Sequence, residues 1–339
     1  VKWMGRTSYN DNTKVNTMYY SASGFEVKVK KTDATIEVNA VITGTNTNKD
    51  ANRPYIVLVK DNDFENTITL ALTTQTTNVV LVGEGGFKID DTEVHTITVY
   101  KRSESIDSHI AFKELNTTGK FVEGVEYKQR KIEVIAASSS TGYGNLGNSS
   151  GSKTTSNSDS LNAFAFLTAQ SLNAEINIVS ASGWGVYASR WTTPNTLNMK
   201  DQYKYVDVFS TELWDTSKYT PDVIVTNFGT NDLSYINVAS DATEKAARRE
   251  AFIATYVEFL NNLHETYPNS QIIIIYGLML ESGIYADTVE IYDRAKLDIP
   301  SLEIIQVAGD AKGCASHPSV ASHKTISEAL TNKIKEVMN

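Results

Sequence analysis

The sequence predicts two domains of different class, an all-β domain followed by an α/β domain with a parallel sheet. Apolar and polar residues alternate along short segments from Phe25 to about Leu115. After Tyr127, short apolar segments alternate with segments of helical periodicity. A period of two is typical of strands that have one face on a core and one in water. The length of 339 residues also favours two domains, at about 150 residues per domain.

Seven short strands are predicted in the first domain. Turn residues such as Gly44, Asn62 and the glycines of segment 83–86 separate them, and no helical pattern lies between them. This spacing predicts an antiparallel sandwich or jelly roll. The predicted strands are Phe25–Val29, Ile36–Ala40, Pro54–Val59, Ile68–Leu72, Asn78–Val82, Val94–Tyr100 and Ile110–Leu115.

The second domain is predicted to alternate strands and helices, which implies a parallel sheet with helices on both faces. We place the boundary so that the domains are 1–126 and 127–339. The predicted strands are Ile132–Ala136, Ile176–Val179, Val223–Phe228, Ile272–Tyr276 and Leu302–Val307. Three helices are predicted: one that begins at Leu161, one over about Ala242–His264 and one over Ser322–Met338.

Composition excludes several classes of function. The net charge of −9 argues against a nucleic-acid backbone or an anionic membrane surface as the main partner. The longest apolar run, around Ile272–Ile275, is far too short to span a bilayer. The single cysteine, Cys314, excludes a thiolate-rich metal site, and the five histidines lack metal-ligand spacing. With no dinucleotide or phosphate-loop fingerprint either, we expect neither a metal nor a cofactor.

Four segments at predicted strand ends carry residues suited to chemistry, and in an open parallel sheet these ends form the site. They are Ala136–Asn145, Ser180–Gly185, Gly229–Asp232 and Gly313–Ser319. Taken singly, each also has an ordinary structural interpretation. A Ser-rich turn is usually a solvated loop, Gly-x-Gly is usually turn geometry, and Gly-Thr-Asn-Asp could cap a helix.

Together the four segments satisfy the requirements of acyl transfer. Ser138 can serve as a nucleophile whose proton His317 removes as the base. The tetrahedral intermediate then needs hydrogen-bond donors for its oxyanion. The backbone N–H groups of Ser138 and Gly183 and the side-chain amide of Asn231 can supply three of them.

These segments resemble the SGNH (GDSL-type) hydrolases, in the order Ser, Gly, Asn, His. With the preceding β domain, the chain resembles carbohydrate esterase family 2, whose members remove O-acetyl groups from plant polysaccharides. The resemblance rests on the four segments, above all residues 141–145, 229–232 and 317–320, and on residues 3–7, 23–27, 95–104 and 214–222. It implies a jelly roll followed by an α/β/α SGNH hydrolase, with Ser138 as nucleophile, Gly183 and Asn231 in the oxyanion hole and His317 as base.

Two motifs depart from the family pattern. Ala137 stands where the family usually has Asp before the nucleophile, and Ala315 and Ser316 stand where it has Asp-Trp before the base. One interpretation is a Ser–His dyad in which a backbone carbonyl of Gly313, Cys314 or Ala315, or else Asp310, orients the ring. The other is a site that has lost catalysis and only binds glycan.

Further residues are assigned on softer signals. Trp184, Trp191 and Tyr143 are predicted to contact substrate, because aromatic faces suit the apolar faces of sugar rings. Asp232 is predicted to cap a helix or anchor a loop, and Cys314 to be a small buried residue. The expected partner is an acetylated plant polysaccharide or oligosaccharide, with other modules of a larger enzyme as further partners. Val1-Lys2-Trp3 shows neither an initiator Met nor an apolar leader, and the Thr-, Asn-, Ser- and Tyr-rich composition favours an extracellular location.

Overall fold

A computed structural model describes residues 1–338 of the chain. The chain forms two compact units, one made of Val1–Lys128 with Thr154–Ser156, the other of Gln129–Lys153 with the chain from Asn157 onward. The first unit is built from antiparallel sheets and the second from a parallel sheet with helices. The predicted fold class is therefore confirmed. The domain boundary between residues 126 and 127 remains a prediction.

The first unit is a sandwich of two antiparallel sheets. One sheet has the order β1-β4-β9-β6-β7, with β11 also paired to β4; the other has the order β2-β3-β10-β5-β8. The strands are β1 (Lys2–Met4), β2 (Thr7–Asn10), β3 (Val15–Met18), β4 (Gly24–Lys30), β5 (Val38–Gly44), β6 (Tyr55–Lys60), β7 (Asp63–Ala71), β8 (Thr76–Val82), β9 (Val94–Lys101), β10 (Ile110–Thr117) and β11 (Lys120–Val122).

The predicted alternation places one face of each strand in the core of this unit. Strand β4 buries Phe25, Val27 and Val29 while its intervening residues are less buried. Phe25 meets Trp3 and Phe112 in edge-to-face contacts with centroid distances of 5.8 and 4.8 Å, an arrangement that aromatic quadrupoles favour. The core therefore joins side chains from both sheets.

Four strands of this unit were not predicted, namely β1, β2, β3 and β11. Each has only three or four residues, too few for a periodic pattern to stand out, and β2 is mostly polar. The strand predicted at Ile36–Ala40 lies instead at Val38–Gly44. Ile36 is buried all the same, so its apolar side chain belongs to the core although its backbone is outside the ladder.

The second unit contains a five-stranded parallel sheet of order β13-β12-β14-β15-β16 within the described residues. Its strands are β12 (Arg130–Ala136), β13 (Ala174–Ser180), β14 (Val223–Asn227), β15 (Gln271–Tyr276) and β16 (Glu303–Gln306). Its helices are α1 (Phe164–Ser171), α2 (Met199–Gln202), α3 (Thr230–Ile236), α4 (Ala242–Thr266), α5 (Tyr285–Ala295) and α6 (Val320–Met338). Strands β13, β14 and β15 are almost wholly buried, as expected for a parallel sheet covered on both faces, whereas the edge strand β16 is partly exposed.

The helices form two groups that cover the two faces of the sheet. Helix α1 packs against α6, and α4 packs against α2, α3 and α5. The long α4 begins at an N-cap, Asp241, whose side chain accepts the N–H of Glu244. Tyr256 of α4 donates a hydrogen bond of 2.8 Å to Thr226 of β14, which fixes this helix to the middle of the sheet.

His323 lies fully buried in the contact between α1 and α6. Its Nδ1 accepts the backbone N–H of Phe164 at 3.2 Å, and its ring stacks on the Phe164 side chain. Burial lowers the pKa of His323 to about 3, with a smaller contribution from the positive charge that His317 can carry. The folded state therefore requires a neutral imidazole at this position.

This burial predicts a specific loss of stability in acid. Because the folded pKa lies below the ordinary value near 6.5, the stabilising contribution is complete above pH 6.5 and is lost progressively as the pH falls below it. Between pH 7.5 and pH 5 the loss is about 2 kcal/mol. We expect His323→Gln, which keeps an acceptor for the Phe164 N–H, to show a smaller drop in its urea unfolding midpoint over this pH range. An equal drop in both proteins would assign the acid sensitivity to other groups.

Candidate active site

The register of the parallel sheet brings three predicted site segments to one edge. Strand β12 lies between β13 and β14, and its last residue, Ala136, pairs with Ser180 on one side and Asn227 on the other. Ser138 follows Ala136 by two residues, Gly183 follows Ser180 by three, and Asn231 follows Asn227 by four. The carboxyl ends of neighbouring parallel strands therefore deliver all three residues to the same place.

Ser138 begins a tight turn held by its neighbours. Ser138–Thr141 form one turn of 3-10 helix, which ends at Gly142 with a left-handed φ of 71°. A side chain at Gly142 would place its Cβ 2.1 Å from the carbonyl oxygen of Asp159, so only glycine fits. Ser140 donates a hydrogen bond of 2.7 Å to Ser180, which ties this turn to the end of β13.

Ser138 and His317 are in hydrogen-bond contact. The distance between Ser138 Oγ and His317 Nε2 is 2.7 Å. The other ring nitrogen, Nδ1, lies 3.0 Å from the carbonyl oxygen of Cys314 and 3.3 Å from that of Ala315. Since a carbonyl only accepts, Nδ1 carries the proton and Nε2 is left as an acceptor for the serine hydroxyl. The His317 side chain is thus oriented to act as a base toward Ser138.

The carbonyls that orient His317 belong to an unusual turn. Ala315 and Ser316 both have left-handed backbones, with φ of 50° and 61°, although neither is glycine. The turn is held at Cys314, whose N–H donates to the carbonyl of Gly144 at 2.9 Å. A Cβ at Gly144 or Gly147 would lie 2.3 Å from the Cys314 side chain. The glycines after the serine turn therefore make room for the residue that supplies the acceptor.

Asp310, the carboxylate considered as a substitute partner for His317, is engaged elsewhere. Its two oxygens accept the backbone N–H of Ser319 at 2.9 Å and the hydroxyl of Ser319 at 2.5 Å, at the start of α6. It also accepts the N–H of Lys312. The backbone carbonyls of Cys314 and Ala315 are the acceptors that face Nδ1, two of the three considered from the sequence.

Gly183 and Asn231 are connected through Trp184, the residue that follows Gly183. The Asn231 amide donates a hydrogen bond of 2.9 Å to the carbonyl of Trp184. Asn231 is the second residue of α3, which begins directly after Gly229, whose φ is 119°. Gly183 itself has a φ of 80°, which turns the chain at the end of β13. The two predicted oxyanion donors therefore come from adjoining turns.

Asp232 anchors the loop that follows Gly183. Its carboxylate is fully buried and accepts backbone N–H groups from Val186, Tyr187, Ala188 and Gly229. Burial raises the pKa of Asp232 to about 6, against the lowering effect of these four donors. The loop-anchor role predicted for Asp232 is confirmed by these bonds.

The predicted aromatic residues differ in what they offer to a ligand. Trp191 is 68% exposed, and its ring carbons lie 3.7 and 3.9 Å from where a Cβ on Gly183 would be. Trp184 is only 5% exposed and packs edge-on against Phe209, so its ring has little surface to offer to a sugar. Tyr143 stacks on the imidazole of His317 at a centroid distance of 4.1 Å.

The structure also contains features that sequence reasoning did not identify. Phe209, 56% exposed beside Trp184, lies in an irregular segment without any periodic signal. The stacking of Tyr143 on His317 joins residues 174 positions apart, which no local pattern reveals. Within residues 1–338, no group of three or more His, Cys, Asp or Glu side chains is arranged to hold a metal ion, and no helix has the length and apolarity to cross a membrane.

Comparison with known proteins places this chain in a family. The sequence pattern of the GDSL-like lipase/acylhydrolase family matches residues 137–330. The chain belongs to this family. This GDSL-family chain is 32% identical over 252 residues to cellulase/esterase CelE of Acetivibrio thermocellus. The aligned region covers 71% of this chain and 30% of CelE. The chain thus spans less than a third of CelE.

Two further relatives cover the chain almost completely. An acetylxylan esterase/glucomannan deacetylase of Cellvibrio japonicus is 24% identical over 345 residues, covering 100% of this chain and 89% of the relative. The structure of a family two carbohydrate esterase from Clostridium thermocellum in complex with cellohexaose has a TM-score of 0.83 at 25% identity, covering 99% of this chain and 98% of that one. The GDSL-family chain therefore shares its complete two-part fold with this esterase.

The role of Asp232 leads to a stability prediction. In Asp232→Asn, one of the two oxygens becomes an NH₂ group that faces backbone donors. We expect a loss of about 1–3 kcal/mol from the donors left without an acceptor. Thermal unfolding followed by circular dichroism measures it. Asp215→Asn, at an exposed one-turn cap, serves as the control and should change stability by no more than about 0.5 kcal/mol. Equal melting temperatures for the two variants would contradict the anchoring role.

Proposed function

We propose that this chain is a serine esterase that removes O-acetyl groups from a plant cell-wall polysaccharide, xylan or a related hemicellulose. The observation that carries the proposal is the hydrogen bond of 2.7 Å between Ser138 Oγ and His317 Nε2. Ser138 follows the end of β12, and the strands on either side of β12 lead to Gly183 and Asn231. Membership in the acylhydrolase family and the two esterase relatives support the same reaction class.

The proposed reaction proceeds in two steps. Ser138 Oγ attacks the acetyl carbonyl carbon, and its proton passes to His317 Nε2. The oxyanion is stabilised by the N–H groups of Ser138 and Gly183 and by the Asn231 amide. As the C–O bond to the sugar breaks, His317 returns the proton to the leaving sugar oxygen. In the second step His317 takes a proton from water, whose oxygen attacks the acetyl carbon. The bond from that carbon to Ser138 Oγ then breaks, His317 returns the proton to Oγ, and the acetyl group leaves as acetic acid, which ionises to acetate.

Substrate contacts in this proposal come from aromatic and edge residues near Gly183. The exposed ring of Trp191 lies beside Gly183 and can stack on a sugar. Tyr143, half-buried against His317, can contact the acetylated residue through the part of its ring that His317 does not cover. Trp184 acts through its carbonyl, which positions the amide of Asn231. We place the protein outside the cell, where plant polysaccharide is found, and the length of CelE supports further modules as partners.

A second candidate is a glycan-binding protein that uses the same cleft without turnover. The observation that favours it is Ala315, since the carboxylate that the family places there is absent. Loss of the aspartate from a Ser-His-Asp triad can cost about 10⁴ in rate. Release of nitrophenol from p-nitrophenyl acetate separates the two candidates: the esterase predicts turnover by the wild type that Ser138→Ala abolishes, and the binding protein predicts equal rates for both.

The oxyanion role of Asn231 can be measured on the same helix with a matched control. Asn231→Ala removes one preorganised donor and should lower kcat about 10²–10³-fold. Asn237→Ala, at the exposed end of α3, should leave kcat unchanged. Steady-state kinetics with acetylated xylan or p-nitrophenyl acetate give both values. Equal kcat for Asn231→Ala and the wild type would remove Asn231 from the mechanism.

The missing carboxylate can be restored. Residue 315 has φ near 50° and is exposed, and Asp tolerates this left-handed backbone better than Ala does. We expect Ala315→Asp to raise kcat, since a carboxylate stabilises imidazolium more than a carbonyl dipole does. Ala315→Asn is the uncharged control with the same backbone preference. A rate for Ala315→Asp no higher than that of Ala315→Asn would show that charge at this position does not assist the base.

A further inference from the structure

The ring of Tyr143 and the imidazole of His317 form a stacked pair. Their centroids are 4.1 Å apart and their planes differ by 23°. This contact covers a face of the imidazole, while its two nitrogens face Ser138 on one side and the carbonyls of Cys314 and Ala315 on the other. The stacked face is therefore available for an interaction that the hydrogen bonds do not supply.

We propose that Tyr143 is a positioning residue for His317, whose π-face stabilises the positively charged imidazolium where a triad enzyme would use a carboxylate. This inference rests on the proposed function. A cation over an aromatic face is attracted by the negative potential of the ring, and the attraction grows when both groups are removed from water. His317 is only 8% exposed, so the contact is largely shielded from solvent.

Backbone hydrogen bonds fix the positions of both Tyr143 and His317. The N–H of Tyr143 lies 3.4 Å from the carbonyl of Ser138, so the ring belongs to the same turn as the nucleophile. The next residue, Gly144, accepts the N–H of Cys314, whose own carbonyl orients His317. One short stretch therefore fixes the nucleophile, the stacking ring and the turn that carries the base.

Other charged groups act on this pair and enter the test. Lys153 Nζ lies 5.5 Å from the centroid of the Tyr143 ring, and its charge opposes a second cation on that ring. His323 is buried and neutral, and its pKa is lowered in part by His317. Asp310 acts on His323 and holds Ser319. These three groups are unchanged in every variant below, so a difference between variants reports on the ring at position 143.

The direct test is the pKa of the His317 imidazole, measured by NMR titration of its Hε1 signal and assigned by the loss of that signal in His317→Gln. We expect Tyr143→Leu to lower this pKa by about one unit, the size of a partly buried cation–π contact. Tyr143→Phe keeps the π-face and should keep the pKa within a few tenths of a unit. Tyr127→Leu, at an exposed tyrosine that belongs to the other compact unit, is the control for aromatic loss elsewhere.

A second measurement separates electrostatics from shape and does not depend on the folding of Tyr143→Leu. Phenylalanine analogues with increasing fluorination at position 143 keep the ring but weaken its negative face. The proposal expects the His317 pKa, and the acidic limb of kcat/KM, to fall stepwise with fluorination. A constant pKa across the series, or an unchanged pKa in a folded Tyr143→Leu, would overturn it. Because the titration needs no turnover, an inactive wild type would refute the esterase and leave this test intact.

Discussion

The in-register pairing of three parallel strands is the constraint on which the candidate site depends. Ala136 at the end of β12 has Ser180 and Asn227 as its neighbours on the two sides. A slip of one residue in either pairing would move a site segment along the strand by about 3.3 Å and turn its side chains to the other face. The donor–acceptor distance of a hydrogen bond varies by only about 0.5 Å. The geometry of the candidate site is consequently a property of the sheet before it is a property of any loop.

Around that edge, backbone groups make many of the hydrogen bonds that hold the candidate site. Backbone carbonyls orient His317, a backbone carbonyl of Trp184 holds the Asn231 amide, and four backbone N–H groups surround Asp232. Such groups can be brought close only where glycine permits it. At Gly185 a Cβ would lie 2.3 Å from an Asp232 oxygen. The glycines near the site are thus part of its hydrogen-bond design.

Much of this arrangement could be predicted from the sequence, because periodicity and strand-end position are local signals. The strands that precede Ser138, Gly183 and Asn231 were located to within two residues at either end, since each contains a short β-branched apolar stretch. The pairing of Ser138 with His317, 179 positions apart, followed from chemical requirement and family resemblance. The burial of Trp184 and the stacking of Tyr143 did not, because both depend on side-chain packing between distant segments, which no single-sequence pattern encodes.

The turn at Ala315 and Ser316 has a consequence for how the chain tolerates mutation. A triad loses its orienting group through one substitution of the aspartate. Here the orienting group is a peptide carbonyl, which remains whatever side chain occupies position 314 or 315. The vulnerability shifts to the backbone, where two consecutive left-handed residues are each confined to a small region of φ and ψ. Proline or a β-branched residue in this turn, or a deletion, would be damaging, whereas polar replacements that accept positive φ would leave the orienting carbonyls in place. Mutations can therefore change the side chains of this turn during evolution, while selection preserves the conformation of its main chain.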